Sequence, residues 1–304
     1  MIEVRINEDK SDRQRKNYIT AILVTIAGNI LLAVGKAIAA SITGSSALYS
    51  DAANSISDVL YSFLVAVGLY VALQPADPSH PQGHSRFEPL VGLVVTASMA
   101  IAAYEAGHNA VDTLVAGPKA IQLSLPSLVL LASACIKTVM YFLIRSIAIR
   151  QDSPSLRAIA ADNLSDIISS VIVFIGTAAS NFFPIFDPIA GLFVAVWILY
   201  AAFRSGKENL VYLTGGSAPQ DVRDRIILTA SSIPGVRNVH HLITEYVGPH
   251  LIVDMHCDID PALSFIKAHE LTDQITTQVE NLLEVDRAYV HLEPGGKNIN
   301  LKKN

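Results

Sequence analysis

Two pairs of polar residues, each with a spacing of four, interrupt apolar stretches of the sequence: Asn54 with Asp58, and Asp162 with Asp166. Side chains four residues apart lie on one face of an α-helix, about one turn from each other. Charged groups inside apolar helices are costly and usually mark ion pathways or proton relays. The pairs therefore predict a cage of four ligands in which a divalent cation offsets the repulsion between carboxylates. The alternative is hydrogen bonding between helices, or carboxylates near a hydrated helix end.

A second candidate metal site lies in the polar segment QPADPSHPQGHSRFE. Asp77, His80 and His84 are spaced three and four residues apart among prolines and a glycine. Imidazole and carboxylate ligands suit zinc or a similar borderline metal. On spacing alone, solvated loop histidines are the preferred interpretation of this segment.

Histidines are concentrated towards the C-terminus, where six of the nine occur within fewer than sixty residues. They are His240, His241, His250, His256, His269 and His291. His291 also alternates with Glu293 in a strand-like segment, so these two side chains should share one face. The enrichment favours a metal-responsive domain, and the alternative for any single histidine is an ordinary core or surface position.

The elements that must position these residues are mostly apolar helices. The 304-residue chain is 51% hydrophobic and 16% charged, whereas soluble domains have about 25% charged residues. Its mean hydropathy of +0.41 also indicates a membrane protein. A spanning helix needs about 20 mostly apolar residues. Six stretches meet this requirement: 18–43, 46–72, 88–115, 123–147, 158–182 and 186–205.

The segment after residue 207 is more polar and predicts a small α+β domain. Residues 219–232 and 262–283 have helical periodicity, and three segments read as strands: VHHLITEYVG, HLIVDMHCDI and RAYVHLEP. An α-β-β-α-β order places helices on one face of a sheet. The predicted organisation is a tail at 1–17, a transmembrane domain at 18–207, a hinge at 208–218, a cytosolic domain at 219–295 and a tail at 296–304.

Lysine and arginine in the short loops predict which side of the membrane each loop faces. Basic residues occur in the N-terminal tail, after the second and sixth stretches, and between the fourth and fifth, whereas the opposite loops have only Lys119. Both termini and the polar domain should therefore face the cytosol, which agrees with an even number of spans. The net charge of −5 argues against nucleic acid as a partner. The two cysteines form no recognisable motif.

Over about residues 15–295, the sequence resembles the bacterial branch of the cation diffusion facilitator family. The resemblance rests on the six spans, the paired polar residues, the segment QPAD…H…GH, and the motifs DMHCDI, KAHELTDQ and YVHLEP. It implies an inner-membrane homodimer with ferredoxin-like cytosolic domains that exports divalent metal from the cytosol in exchange for protons. By position, it assigns Asn54, Asp58, Asp162 and Asp166 to the transport site, Asp77, His80 and His84 to a loop site, and His240, His256, His269, His291 and Glu293, with His241 as an additional ligand, to the cytosolic domain.

The transport-site residues depart from those of zinc-transporting relatives, which usually have histidine at the first position in the fifth span. Asp162 and Asn54 make the set all-oxygen, and oxygen ligands suit manganese and other harder ions. Mn²⁺ is therefore the expected substrate, with Fe²⁺ and Zn²⁺ as alternatives. Proton exchange must then use a carboxylate instead of histidine.

A second departure concerns Gly215 and Gly216. Many relatives place an acid in this region, where it pairs with a basic residue such as Arg86. The glycines offer no charge, so the charge interlock of the dimer is in question and a flexible hinge is expected.

Two functions from other classes compete with export. Asp58 and Asp166 could form the carboxylate dyad of an intramembrane hydrolase, but no water-positioning motif accompanies them, and Asn54 and Asp162 would be unexplained. The histidine-rich domain could instead make the chain a metal sensor, although six spans with a buried cage exceed what a sensor needs. The chain is therefore expected to be a transporter and not an enzyme.

Overall fold

The computed structural model describes residues 8–43, 46–118, 125–180 and 182–295. These residues form two compact units, one extending to Leu210 and the other beginning at Val211. The predicted tail at 296–304 lies outside the described residues.

The first unit is built from long helices that follow the predicted spans. They are α1 (Glu8–Thr43), α2 (Ser46–Ala72), α3 (Phe87–Ala116), α4 (Leu125–Gln151), α5 (Pro154–Ser180) and α6 (Phe186–Leu213). By length and composition, α1, α3, α4, α5 and α6 could each cross a membrane. In α2, the described residues Asp58–Ala72 form a shorter apolar helix. The predicted helical membrane bundle is confirmed, and α1 begins at Glu8, within the predicted N-terminal tail.

The start of α5 shows how the sequence sets a helix boundary. Pro154 is the first helical residue, where its missing N–H costs nothing and its fixed φ suits a helix. Ser153 precedes it, and the N–H of Leu156 donates to Ser153 Oγ at 3.1 Å. This serine cap satisfies one of the unpaired N–H groups at the helix end. The helix that carries Asp162 and Asp166 therefore begins at a defined residue.

Small residues let the helices of the first unit approach closely. A Cβ added to Gly92 of α3 would lie 1.8 Å from the side chain of Asn209 in α6, and one added to Gly176 of α5 would lie 2.5 Å from Ala190. Small residues at helix crossings are usual in membranes, where packing drives helix association. α1 contacts both α2 and α4, and α4 contacts α5.

A buried carboxyl group joins α1 to the starts of α3 and α5. Glu88 at the start of α3 is 3% exposed. It accepts hydrogen bonds from Tyr18 of α1 at 2.7 Å, from Ser155 of α5 at 3.1 Å, and from Ser153. Because buried polar groups are costly unless they are hydrogen-bonded, this network holds α1 and the starts of α3 and α5 in one arrangement.

The second unit contains α7 (Gln220–Ser231), β1 (Val236–Val247), β2 (His250–Ile259), α8 (Phe265–Glu280) and β3 (Val285–Pro294). The strands form one sheet in the order β1-β2-β3. β1 and β2 are antiparallel, whereas β2 and β3 are parallel and are connected through α8. Leu251, Val253, Met255 and Cys257 of β2 are fully buried in the core with α7 and α8. Because strand side chains alternate, the intervening residues of β2 face away from the helices. The predicted α+β domain is confirmed.

The two glycines after α6 end the helix with defined hydrogen bonds. Gly215 has φ +71°, a left-handed conformation that glycine adopts easily at helix ends. The N–H of Gly216 donates to the carbonyl of Val211 at 2.8 Å, and the N–H of Tyr246 in β1 donates to the carbonyl of Gly216 at 3.1 Å. Since α6 continues to Leu213, residues 208–213 of the predicted hinge are helical. A hinge function stays a prediction.

Candidate metal sites

Two charged residues of the predicted transport site, one on α2 and one on α5, line a common cavity. Asp58 of α2 and Asp166 of α5 line one cavity of about 180 Å³. Asp162 precedes Asp166 by one helical turn. Asn54 precedes Asp58 by one turn in α2, but its side chain is outside the described part of the structure. Two separate helices thus bring carboxylates to the same cavity.

The remaining polar lining of this cavity comes from α1, α2, α4 and α5. It consists of Lys36, Ser55, Ser133, Lys137, Ser169 and Ser170. Serine hydroxyls are hydrogen-bonding groups that can solvate an ion or its water. The cavity is therefore suited to a hydrated or partly dehydrated cation.

Lys137 of α4 forms an ion pair with one of these carboxylates. Its Nζ lies 2.8 Å from Oδ2 of Asp166, and its side chain is 9% exposed. Asp58 and Asp162 also act electrostatically on this ammonium group. Among the described side chains, the three carboxylates are not within 4.8 Å of one another as a group.

Sequence reasoning missed two residues of this site. Lys137 lies in the middle of the apolar segment SACIKTVMYF, and an ionisable residue inside a span is by itself a signal of function. Tyr61 lies near Asp58 and Asp162, and its buried hydroxyl has no hydrogen-bond partner among the described residues. No sequence signal would have found Tyr61, because a tyrosine in an apolar helix is common.

The loop between α2 and α3 brings Asp77, His80 and His84 together, so that ligand atoms of all three lie within 4.8 Å of one another. Asp77 Oδ1 accepts the backbone N–H of His80 at 2.6 Å. The side-chain nitrogens of both histidines lie 3.5 Å from the carboxylate oxygens of Asp77. The turn also uses Gly83 in a left-handed conformation with φ +85°, which glycine adopts without strain.

Hydrogen bonds preset two of these loop side chains for metal binding. The backbone N–H of His80 lowers the pKa of Asp77, and so do the neighbouring histidines, so the carboxylate is ionised at neutral pH. Nδ1 of His84 lies 3.0 Å from the carbonyl of Pro75. Because a carbonyl only accepts, Nδ1 is the donor in this contact, and Nε2 is the nitrogen that faces Asp77, the usual orientation for a metal-binding histidine.

Three histidines form a row across the sheet of the second unit. In the strand register, His240 of β1 pairs with His256 of β2, and His256 pairs with His291 of β3. Ligand atoms of His240, His256 and Glu293 all lie within 4.8 Å of one another. Nδ1 of His256 is 2.7 Å from Oε1 of Glu293. Three strands therefore place imidazole and carboxylate groups on the face opposite to the helices.

A β-bulge adds His241 to the same cluster. The register shifts between His240 and Ile243, and His241 has φ +52°. Two residues of a bulged strand oppose one residue of its partner, so adjacent histidines can both approach His256. Their ring centroids lie 5.5 Å (His240) and 4.6 Å (His241) from that of His256.

Three neighbouring residues have different positions relative to this cluster. His269 lies on α8, 3.8 Å from Asp273, and shares a cavity of about 340 Å³ with Glu293. Asp258 lies 3.5 Å from His240 and was missed, although its spacing of two from His256 indicates the same strand face. Cys257 points into the core, where burial and then Asp258 raise the pKa of its thiol to about 11. The thiolate is the form that binds metal, so Cys257 is not a ligand of the cluster.

Comparison with known proteins finds relatives of both units. The chain matches the cation efflux transmembrane domain over residues 22–214 and the cytoplasmic domain of cation efflux proteins over residues 218–295. It is 33% identical to the uncharacterized transporter MJ0449 of Methanocaldococcus jannaschii, over 90% of this chain and 96% of the relative. It is 31% identical to magnetosome protein MamM of Paramagnetospirillum magneticum, over 84% of this chain and 81% of the relative.

A further relative is the manganese efflux system protein MneS of Bacillus subtilis, with 26% identity over 90% of this chain and 94% of the relative. Among solved structures, the C-terminal domain of MamM matches with 32% identity and a TM-score of 0.24, covering 25% of this chain and 96% of that domain. The two family matches cover both the helical unit and the α+β unit. The chain therefore belongs to the cation diffusion facilitator family and is a metal cation efflux transporter.

Proposed function

We propose that this chain exports a divalent metal cation from the cytosol, with Mn²⁺ as the preferred substrate. The observation that carries the proposal is the cavity shared by Asp58 of α2 and Asp166 of α5. Together with Asp162 and Asn54 these residues form an all-oxygen ligand set, and such sets suit manganese better than zinc. The name of the relative MneS, a manganese efflux system protein, supports the same choice. Fe²⁺ and Zn²⁺ are the alternative substrates.

Proton antiport is the proposed driving reaction. The proposed transport set contains no histidine, so its carboxylates must bind the protons that are exchanged for metal. Burial disfavours an ionised carboxylate, so a carboxylate that has released its metal gains from taking up a proton unless another cation neutralises it.

The proposed assembly is a homodimer in the inner membrane. Basic residues near the helix ends support cytosolic termini, and the match to the cytoplasmic domain family supports a cytosolic position for residues 219–295. In this arrangement residues 18–207 form the transmembrane domain, residues 208–218 connect it to the cytosolic domain, and Asp77, His80 and His84 form an accessory metal site on the cytosolic side.

The structure gives no support to the intramembrane hydrolase. A carboxylate dyad requires two acids that share a proton, whereas Asp166 is paired with the ammonium group of Lys137. The family match is also to transporters.

The test of the proposed function is competitive uptake into inside-out membrane vesicles. We expect vesicles that contain the protein to accumulate ⁵⁴Mn²⁺ when a proton gradient is imposed, and a protonophore to reduce this uptake to the level of empty vesicles. Unlabelled Mn²⁺ should compete more strongly than Fe²⁺ or Zn²⁺. Uptake no greater than that of empty vesicles for all three metals would refute export, and uptake unaffected by the protonophore would refute proton coupling.

The cytosolic cluster is proposed to regulate transport. His256, Glu293 and their neighbours follow the last membrane helix in the chain, so they cannot line the path through the membrane. Metal held by the cluster in two such domains could draw the domains of a dimer together. Imidazole binds metal only when it is deprotonated, so regulation should weaken as the pH falls.

The double variant His256→Ala/His291→Ala should therefore keep transport but respond less to cytosolic metal. We expect the metal concentration for half-maximal uptake to rise about tenfold at pH 7.5, with a smaller difference at pH 6. The measurement is initial uptake rate against Mn²⁺ concentration at both pH values. The control is His269→Ala, because His269 lies on α8 and not in the row of His240, His256 and His291. Complete loss of transport in a folded, dimeric double variant would contradict a regulatory role.

A further inference from the structure

A lysine side chain competes for the proposed transport site. The ammonium group of Lys137 lies 2.8 Å from a carboxylate oxygen of Asp166, and the lysine side chain is 9% exposed while the aspartate is 43% exposed. Both residues line the same cavity as Asp58. A cation is thus already bound to one of the carboxylates that would hold the metal.

The electrostatics of the cavity explain why a lysine is placed there. An unpaired charge inside a bilayer is costly, and Asp58, Asp162 and Asp166 all lie close enough to act on Lys137. Removal of one partner from a buried ion pair leaves the other charge uncompensated. The lysine therefore reduces the electrostatic cost of the carboxylates when no metal is present.

The contact between Lys137 and Asp166 opposes metal binding. A carboxylate oxygen that accepts a hydrogen bond from an ammonium group is a weaker ligand, and two positive charges near one carboxylate repel each other. The metal can use Asp166 fully only if the ammonium moves away. Lysine suits this exchange because its charge is on a flexible four-carbon chain.

We propose that Lys137 is a tethered counter-cation of the transport site, which the incoming metal displaces from Asp166 and which returns when the metal leaves. The inference rests on the proposed transport site. Lys137 lowers the affinity of the site for metal, and it also supports turnover, because it compensates the empty site and favours release. Lys137 is a positioning residue in this sense, since it acts on the metal through Asp166.

The test uses full-length protein with Mn²⁺ as the probe. Binding is measured by equilibrium dialysis in detergent, and transport is measured in proteoliposomes. We expect Lys137→Met and Lys137→Gln to lower the Kd for Mn²⁺ about tenfold or more and to lower the maximal transport rate several-fold. Lys137→Arg keeps the charge and should remain close to wild type. The matched control is Arg145→Met, which removes a cation from the same helix that contacts Tyr141 and should change neither quantity.

Tighter Mn²⁺ binding together with slower transport would show that Lys137 competes with the metal. If Lys137 had a purely structural role, its loss would weaken both binding and transport. A Kd for Lys137→Met and Lys137→Gln that is unchanged or higher, while Asp166→Ala abolishes binding, would overturn the inference and leave the transport site intact. If wild-type protein binds no Mn²⁺, Fe²⁺ or Zn²⁺ at Asp166, the proposed function itself fails.

A measurement on unsubstituted protein covers the case in which the neutral variants do not fold. Saturating Mn²⁺ should free the Lys137 amine from Asp166 and raise its rate of modification by a small acylating reagent at least about twofold, as measured by peptide mass spectrometry. An unchanged rate at metal saturation would overturn the inference.

Discussion

Asp58→Ala and Asp166→Ala should each reduce metal transport by about a hundredfold or more while the protein still inserts and dimerises. Both carboxylates line the cavity that the proposed substrate enters. Each change removes a charged ligand of the proposed site, and a loss of about 2.8 kcal/mol in metal binding corresponds to about a hundredfold at about 1.4 kcal/mol per factor of ten. No water-exposed group can replace either ligand within the bilayer. The measurement is initial ⁵⁴Mn²⁺ uptake into proteoliposomes at matched protein content.

A matched control for these variants is Asp112→Ala. Asp112 is also an acid of a membrane helix, but it lies near the end of α3, where it faces His108 at 3.5 Å. Its replacement should leave uptake within about twofold of wild type, because the residue does not line the cavity. Near-normal transport by Asp58→Ala or by Asp166→Ala would mean that the metal does not use this cavity.

Metal selectivity should shift from manganese towards zinc when imidazole replaces the first oxygen ligand on α5, with or without imidazole on α2. We expect Asp162→His, combined with Asn54→His or Asn54→Asp, to raise the ratio of Zn²⁺ to Mn²⁺ transport about tenfold or more. Imidazole favours the borderline ion, whereas carboxylate and amide oxygens favour the harder one. The measurement is the kcat/KM for each metal in proteoliposomes.

The control for selectivity is Asp162→Asn, which keeps an oxygen ligand and removes one charge. It should weaken uptake of both metals without favouring zinc. If wild-type protein already transports Zn²⁺ far better than Mn²⁺, the argument from ligand type is wrong for this transporter. If Asp162→His changes the rates of both metals equally, Asp162 does not contact the metal.

Helix and strand periodicity could be read from the sequence because both are local. The spacing of four alone predicts that Asp162 and Asp166 share one face of α5. The length of the apolar stretches predicts the helices of the first unit. The order of elements after residue 207 likewise predicted a sheet covered by helices, which the structure confirms. These features depend on residues that are close to one another in the sequence.

The sequence could not predict which side chains meet in each site, because these side chains are far apart in the sequence. The tertiary structure was needed to identify them. The pair of Lys137 and Asp166 joins α4 to α5, and no local pattern predicts which face of α4 packs against that helix. In the second unit, adjacent His240 and His241 should point to opposite faces of a regular strand. The bulge between His240 and Ile243 overrides that alternation, whereas His269 lies apart on α8 because its helix packs on the other face of the sheet.

The sequence by itself determined which residues could bind metal and which elements carry them. Packing between helices and register between strands decided which of those residues meet, because such contacts are set by the whole core and not by local spacing.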